Sequence, residues 1–320
     1  MTGMPGKKFC LVTVTSESFL PGTLLMIYSF LKCNRWFSGD IVIIHDNLPG
    51  ESREMLSCFK RVKYFQVGKE IKEKLRDLAR AVPRFQPVTR QDRFYSLEVF
   101  RLSGCDRVIF IDSDVLFLGD IGHLLDREGE KETVPLLCCG DRCHYRGIPR
   151  DAETFLPIEK NSGLHSNQRI LTRTFNSGFM VIDGSYLTGS HYRNLLGLLE
   201  PGTWEKIDTP HTDQVVLNLY FHNRCRMLDS RYNFLVPFAN LIQKKENTRL
   251  KDIKVLHFNG KPKPWDCPGV MKKAAGEASV IELFKLWYKT YLEFLPEYHL
   301  RRHLHRLRKN RLTGGKSINK

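Results

Sequence analysis

Alternation of strand-like and helix-like segments over residues 9–67 constrains the fold more than any other feature of this chain. Phe9–Val14 is a short apolar run of strand character, and Pro21–Cys33 places Leu24, Leu25, Ile27, Tyr28 and Leu31 at helical, core-facing spacings. Asp40–His45 reads as a second strand, Glu51–Phe59 as a charged helix and Val62–Val67 as a third strand. Strands joined by helical crossovers lie parallel, and parallel sheets bury both faces. The opening therefore predicts an α/β fold whose ligands bind at the carboxyl ends of the strands.

The next strand-like run, Val108-Ile109-Phe110-Ile111, leads straight into Asp112-Ser113-Asp114. Residues i and i+2 of an extended chain point the same way, so Asp112 and Asp114 converge while Ser113 faces away. Two like charges at the end of a buried strand are costly, and a divalent cation would relieve that cost. A lone Asp-x-Asp is more often a strand end that turns polar at the surface, so other motifs have to decide.

A second strand end, Lys254–Phe258, runs into Asn259-Gly260 and then Lys263-Pro264-Trp265. His257 offers a third ligand there, Gly260 lets a backbone N–H approach a phosphate oxygen, and Lys263 supplies positive charge. Taken alone, His257 also suits a hydrogen-bonded core histidine. Phe175-Asn176-Ser177-Gly178-Phe179 and Thr212–Asn218 combine amides, hydroxyls and a carboxylate, the inventory that sugar hydroxyls need. An Asn-Ser-Gly turn and a helix start at Asp213 account for each separately.

Elsewhere the pattern predicts helices over 94–102, 186–199, 213–221 and 279–295, with a strand at Phe179–Ile182. Residues 128–174 are polar and rich in Gly, Pro and Arg, which reads as a long loop bordering an acceptor site. Its Arg142, Arg146, Arg150, Lys160 and Arg169 suit a phosphorylated or acidic acceptor; solvated loop charge explains them equally well.

With 320 residues, 42% of them hydrophobic, the chain has enough apolar material for a sizeable core. No stretch approaches the roughly 18–20 apolar residues of a membrane span, and the amino-terminal residues lack the apolar core of a secretory signal. Nine scattered cysteines show no framework spacing and are expected to be mostly reduced and buried. These features predict a cytoplasmic location. Of the net charge of +15, residues 301–320 supply 8, leaving +7 for residues 1–300.

Taken together and in order, the motifs resemble those of glycosyltransferase family 8, the family of glycogenins and bacterial lipopolysaccharide galactosyltransferases. The resemblance runs from about Phe9 to Trp265. Its carriers are Val12–Thr15, Phe110–Asp114, Phe175–Gly178, Asp213-Gln214 with Leu217-Asn218, and the ending His257-Phe258-Asn259-Gly260-Lys261-Pro262-Lys263-Pro264-Trp265. It implies an α/β, GT-A (Rossmann-like) domain with a mixed, mostly parallel central sheet, assigned here to residues 1–275, with 128–174 as the acceptor-side loop. It further implies Mn²⁺ or Mg²⁺ held by Asp112, Asp114 and His257. A UDP-sugar donor would contact Val14, Thr15, Arg93, Asp112, Ser113, Asn176, Ser177, Gly260 and Lys263, with Asp213 and Gln214 as the catalytic pair. Two positions depart from the family. Ser96 stands where many members carry a basic donor contact, with Arg93 one turn earlier as its expected substitute, and Leu20 aligns better than Phe19 with the aromatic after the first strand.

The activity expected is transfer of galactose or glucose, with retention, to a glycan or glycolipid such as lipopolysaccharide. An amide is a poor nucleophile, so Gln214 is expected to stabilise charge at the anomeric carbon during front-face attack. A protein O-glycosyltransferase or self-glucosylating primer, and a sugar-nucleotide-binding protein without catalysis, are the alternatives. Residues 276–320 are expected to form a helical basic tail with Leu300, Leu304 and Leu307 on one face. Such a helix docks on an anionic inner membrane face, or packs its leucines on its own domain. No zinc finger, RNA-recognition sequence or basic zipper appears, so no nucleic-acid partner is expected.

Overall fold

The computed structural model describes residues 6–126, 133–158, 169–207, 209–274 and 278–314. Its strands are β1 (Phe9–Val14), β2 (Asp40–His45), β3 (Val62–Gln66), β4 (Arg107–Ile111), β5 (Val115–Phe117), β6 (Leu136–Gly140), β7 (Arg150–Asp151), β8 (Ile170–Leu171), β9 (Phe175–Asp183), β10 (Cys225–Leu228), β11 (Phe234–Leu235) and β12 (Val255–His257). Seven of them form one sheet in the order β3-β2-β1-β4-β9-β6-β10. All run parallel except β9, which is antiparallel to both β4 and β6. The mixed, mostly parallel sheet expected from the alternation is therefore present.

Side chains alternate across these strands, and each face has its own core. Leu11, Ile43, Ile109 and Val181 pack beneath the helix Leu20–Cys33, while Val12, Ile44, Phe110 and Met180 pack under helices Gly189–Gly197 and Asp213–Phe221. The segment before β4 is a 3-10 helix, Asp92–Arg101, buried from Phe94 to Phe100. A small sheet, β11-β12-β5, stands at the carboxyl edge of the large one, and its β12 pairs antiparallel with β5 so that His257 faces Val115.

Three expectations change. The stretch read as a loop over 128–174 contains β6, every residue of which is buried, inside the large sheet between β9 and β10. A proline immediately ahead and only five residues of strand concealed it; residues 127–132 and 159–168, with Lys160, lie outside the described chain. Asn176-Ser177-Gly178 is not a turn but the start of β9, where the register with β6 jumps from Cys138 opposite Met180 to Cys139 opposite Asn176. Among the cysteines, Cys10 and Cys105 form a disulfide and the other seven are free, four of them buried.

The carboxyl-terminal segment is one helix, Ala278–Gly314, of 37 residues with Pro296 inside it. Leu283, Phe284, Trp287, Phe294 and Tyr298 are buried in the same core as the helix Leu20–Cys33, with Phe294 5.0 Å from the Tyr28 ring. Leu292, Leu300 and Leu304 are 66%, 59% and 44% exposed. The side chain of Leu307 lies outside the described residues. No helix among the described residues is long and apolar enough to cross a membrane.

Candidate active site

β4 ends at Ile111, Asp112 N–H still donates to Gly178 O on β9 (3.0 Å), and the chain then turns at Ser113-Asp114. Asp112 and Asp114 then face the carboxyl edge together, and β12 brings His257 to them: its Nε2 is 3.3 Å from Asp114 Oδ1 and 3.6 Å from Asp112 Oδ2. One ligand atom from each of the three lies within 4.8 Å of the others. Two carboxylates and an imidazole, with no thiolate, suit Mn²⁺ or Mg²⁺ better than a structural zinc. The imidazole is preset for this use. His257 Nδ1 is 2.9 Å from Asn233 Oδ1, an atom that only accepts, so Nδ1 donates there and Nε2 is the nitrogen left to face the carboxylates.

Electrostatics separate the two carboxyls. Burial in the concave site and then the Asp114 charge push Asp112 up to about 7, even though 41% of its side chain is accessible. Burial would also raise Asp114, but Lys263 and His257 outweigh it and hold Asp114 below the usual carboxylate range. Lys263 Nζ donates to Asp114 Oδ2 and, at 3.2 Å, to Phe258 O. Gly260 has φ +92°, a conformation that glycine adopts without strain, and a Cβ there would meet nothing closer than Pro237 Cγ at 3.8 Å. Trp265 sits against Gly22, where a Cβ would lie 2.4 Å from its ring.

The remaining motifs meet on the other side of Asp112. Asn176 Nδ2 donates to Gln214 Oε1 (3.1 Å), and Asn233 Nδ2 donates to Asn176 Oδ1 (2.9 Å), which joins Gln214 to His257 through two amides. Gln214 Nε2 donates to Asp141 Oδ2 (3.2 Å), so both ends of this buried amide are held. Asp213 accepts from Ser96 Oγ (2.8 Å) and Thr212 Oγ1 (3.0 Å), and burial raises its pKa above the ordinary value despite these bonds and one from Ser177.

Not every expected residue offers its side chain to a ligand. Ser113 Oγ donates to Val14 O (2.7 Å) and accepts from Thr23 Oγ1 (2.9 Å), and Thr15 Oγ1 bonds Thr23 Oγ1 (2.6 Å), so both buried hydroxyls tie β1 to the helix Leu20–Cys33. Arg93 is exposed and has no ion pair among the described residues; Ser96, not Arg93, meets Asp213. Leu20 is buried, whereas Phe19 is 36% exposed, 5.6 Å from the Trp265 ring and under Lys263 Nζ at 5.6 Å. The exposed aromatic is thus Phe19. Sequence reading missed Asp141 and Asn233. Asp141 carries a local signal as the N-cap of the helix Arg142–Arg146, accepting from His144 N–H, with Gly147 closing the helix in the left-handed region. Asn233 has none. A cavity of about 700 Å³ lined by Lys7, Lys8 and Trp36 lies at the opposite, amino edge of the sheet and contains none of these residues.

The sequence profile of glycosyl transferase family 8 matches residues 10–267, the span that contains Asp112, Asp114, His257 and the hydrogen-bonded groups around them. The chain belongs to glycosyl transferase family 8. Among family relatives, lipopolysaccharide 1,2-glucosyltransferase of Escherichia coli is 26% identical over 260 residues, covering 78% of this chain and 70% of that protein. Lipopolysaccharide 1,3-galactosyltransferase of Salmonella typhimurium is 25% identical over 172 residues, 50% of this chain but only 44% of that protein. The match to the pneumococcal glycosyltransferase GlyF likewise spans only 37% of its length. In three dimensions the family 8 fold aligns with the galactosyltransferase LgtC, solved with donor and acceptor sugar analogs. The TM-score is 0.58 at 16% identity, over 86% of this chain and 95% of LgtC. GlyE of Streptococcus pneumoniae aligns at 0.59, over 95% of this chain and 64% of GlyE.

Proposed function

We propose that this family 8 glycosyltransferase moves galactose or glucose from a UDP-sugar to a glycan or glycolipid acceptor, with retention and in the presence of Mn²⁺ or Mg²⁺. The observation that carries the reading is the convergence of Asp112, Asp114 and His257 beside the Gly260–Lys263 loop. A cation held by those three side chains would neutralise the charge that builds on the departing diphosphate. Lys263 adds a second positive charge, and Gly260 leaves the backbone open to a phosphate oxygen. Asn176 and Asp213, both partly exposed, would line the donor sugar, whose hydroxyls need amide and carboxylate partners. Gln214, fixed at both ends, presents its carbonyl oxygen as a dipole toward positive charge at the anomeric carbon. Because that oxygen is no nucleophile, the acceptor hydroxyl arrives on the leaving-group side and the configuration is retained.

Ser96 meets Asp213 with a hydroxyl in place of a cation, so among the described residues Asp213 has no charged partner and recognition of the sugar would rest on hydrogen bonds. The long terminal helix, with its row of exposed leucines and basic residues, would hold the enzyme on an anionic membrane face. The test is a screen of UDP-sugars for UDP release with Mn²⁺. At least one donor is expected to turn over, and Asp114→Ala is expected to reduce Mn²⁺-dependent release at least about 100-fold. Absence of UDP release from every donor tried, with and without sugar acceptors, would overturn the reading.

A further inference from the structure

We propose that the acceptor carries a phosphate monoester, and that Arg142 and Arg146 bind it in a cleft beside the donor site. The inference rests on the glycosyltransferase reading above. The cleft, of about 370 Å³, is lined by Arg142, Arg146, Pro237, Phe238, Asn240 and Val280 among others. Two connections tie it to the donor residues. Pro237 is the neighbour that a side chain at Gly260 would meet first, and Arg142 directly follows Asp141, whose carboxylate holds the Gln214 amide. The cleft therefore neighbours the diphosphate loop through Pro237, and the helix that carries its two arginines starts at the carboxylate that holds the Gln214 amide. Front-face attack requires the acceptor hydroxyl to enter between those two features.

The lining selects the acceptor's charge. Arg142 and Arg146 stand one turn apart on the same helix, a spacing that puts them on one side. Both are exposed, and neither has an acidic partner among the described residues, whereas the neighbouring buried Arg150 is paired with Asp141 at 3.2 Å. Arg142 lies instead over the Phe238 ring, 5.4 Å from its centroid, which leaves the edges of its guanidinium free to donate. One guanidinium fork saturates a carboxylate, while two guanidinia match the several oxygens and double charge of a phosphate monoester. Pro237, Phe238 and Val280 supply the apolar surface on which the C–H face of a pyranose packs.

Calorimetry on the full chain loaded with UDP and Mn²⁺ tests this, since UDP then blocks the diphosphate site. Mannose 6-phosphate is expected to bind at least about tenfold more tightly than mannose, glucuronate or inorganic phosphate. The preference should disappear in Arg142→Ala/Arg146→Ala and return in part in Arg142→Lys/Arg146→Lys, which keeps charge without the fork. Equal binding of mannose and mannose 6-phosphate overturns the inference. So does a preference that survives the double alanine variant, or glucuronate or inorganic phosphate matching the sugar phosphate. The UDP loading step separates the two proposals: failure of UDP to bind with Mn²⁺ counts against the donor reading, while normal UDP binding without a phosphate preference counts against the acceptor alone.

Discussion

Asp141 governs more of this site than its plain place in the sequence suggests. Its carboxylate accepts from Thr174 Oγ1 (2.7 Å), His144 N–H (3.0 Å), Arg150 Nη2 (3.2 Å) and Gln214 Nε2 (3.2 Å), so the Gln214 amide is oriented by the group that also neutralises Arg150. Both ionic side chains are almost wholly buried, 6% and 4% exposed. Removing one partner of such a pair leaves the other charge stranded away from water. Arg150→Ala is therefore expected to cost about 3 kcal/mol in urea unfolding, the low end for a broken buried pair because three other donors still serve Asp141. His211 belongs to the same cluster: its Nε2 is 3.4 Å from Arg150 Nη2, and its ring packs edge-on against Phe155. Burial first and then Arg150 lower its pKa from 6.5 to about 4, with Asp141 pulling the other way and Arg93 adding a smaller push down. In the unfolded chain the ring takes up its proton near pH 6.5, but in the folded chain only near pH 4. The unfolded state thus binds more protons between those values, and stability falls as the pH drops through the window. His211→Asn is expected to flatten that part of the stability profile; an unchanged slope between pH 4 and 6.5 in urea titrations would refute the assignment.

Among the elements, β9 carries the site's main steric constraint. The register jump opposite Cys138 and Cys139 frees Ser177 and Gly178 from pairing with β6, while on the strand's other edge Gly178 O takes the Asp112 amide. The backbone comes so near that a Cβ on Gly178 would lie 2.2 Å from His257 Cε1 and 2.8 Å from Asp112 Oδ2. His257 has little room to yield, being 1% exposed and held by Asn233. Gly178→Ala should therefore weaken Mn²⁺ binding at least about tenfold and lower the melting temperature modestly. Calorimetric Mn²⁺ titration checks it, and unaltered affinity would show that the ligands relax without cost. The same strand shows where sequence reading stops. Strands such as β1, β2 and β4 are long enough and apolar enough to be seen, and residues i and i+2 at the end of β4 were legible as a converging pair. A bulge depends on the partner strand, so Asn176-Ser177-Gly178 looks like a turn until β6 is placed beside it. Asn233 becomes meaningful only when the 3-10 turn Ser230–Tyr232 and β11 carry it to His257, across 24 residues of chain. Gly260 and Lys263 were legible because their loop is local, whereas the Ser96–Asp213 bond spans 117 residues and required the tertiary structure.

At the scale of the whole molecule, the terminal helix has two faces with different fates. Trp287, Phe294 and Tyr298 close the core over the helix Leu20–Cys33, and Arg302 reaches Glu54 at 3.7 Å, so this part of the helix is built into the fold. Leu292, Leu300 and Leu304 stand on the surface without apolar cover. Burying a leucine side chain is worth about 1.5–3 kcal/mol, and each basic residue near an anionic bilayer adds about 1 kcal/mol at moderate ionic strength. Arg301 is already paired with Glu297, which reduces its share. The leucines should therefore supply a contact that salt does not screen, and the basic residues one that it does. Deleting residues 296–320 would confuse the issue, because it removes Tyr298 from the core as well as the surface leucines. Leu292→Ser/Leu300→Ser/Leu304→Ser changes only the exposed row. That variant is expected to lose at least about tenfold in partition onto vesicles containing anionic lipid, measured by cosedimentation, with its melting temperature and Mn²⁺-dependent UDP release preserved. Raising salt should weaken the native chain's binding without abolishing it. Equal partition of variant and native chain would mean that these leucines do not enter the lipid, and that any attachment is electrostatic alone.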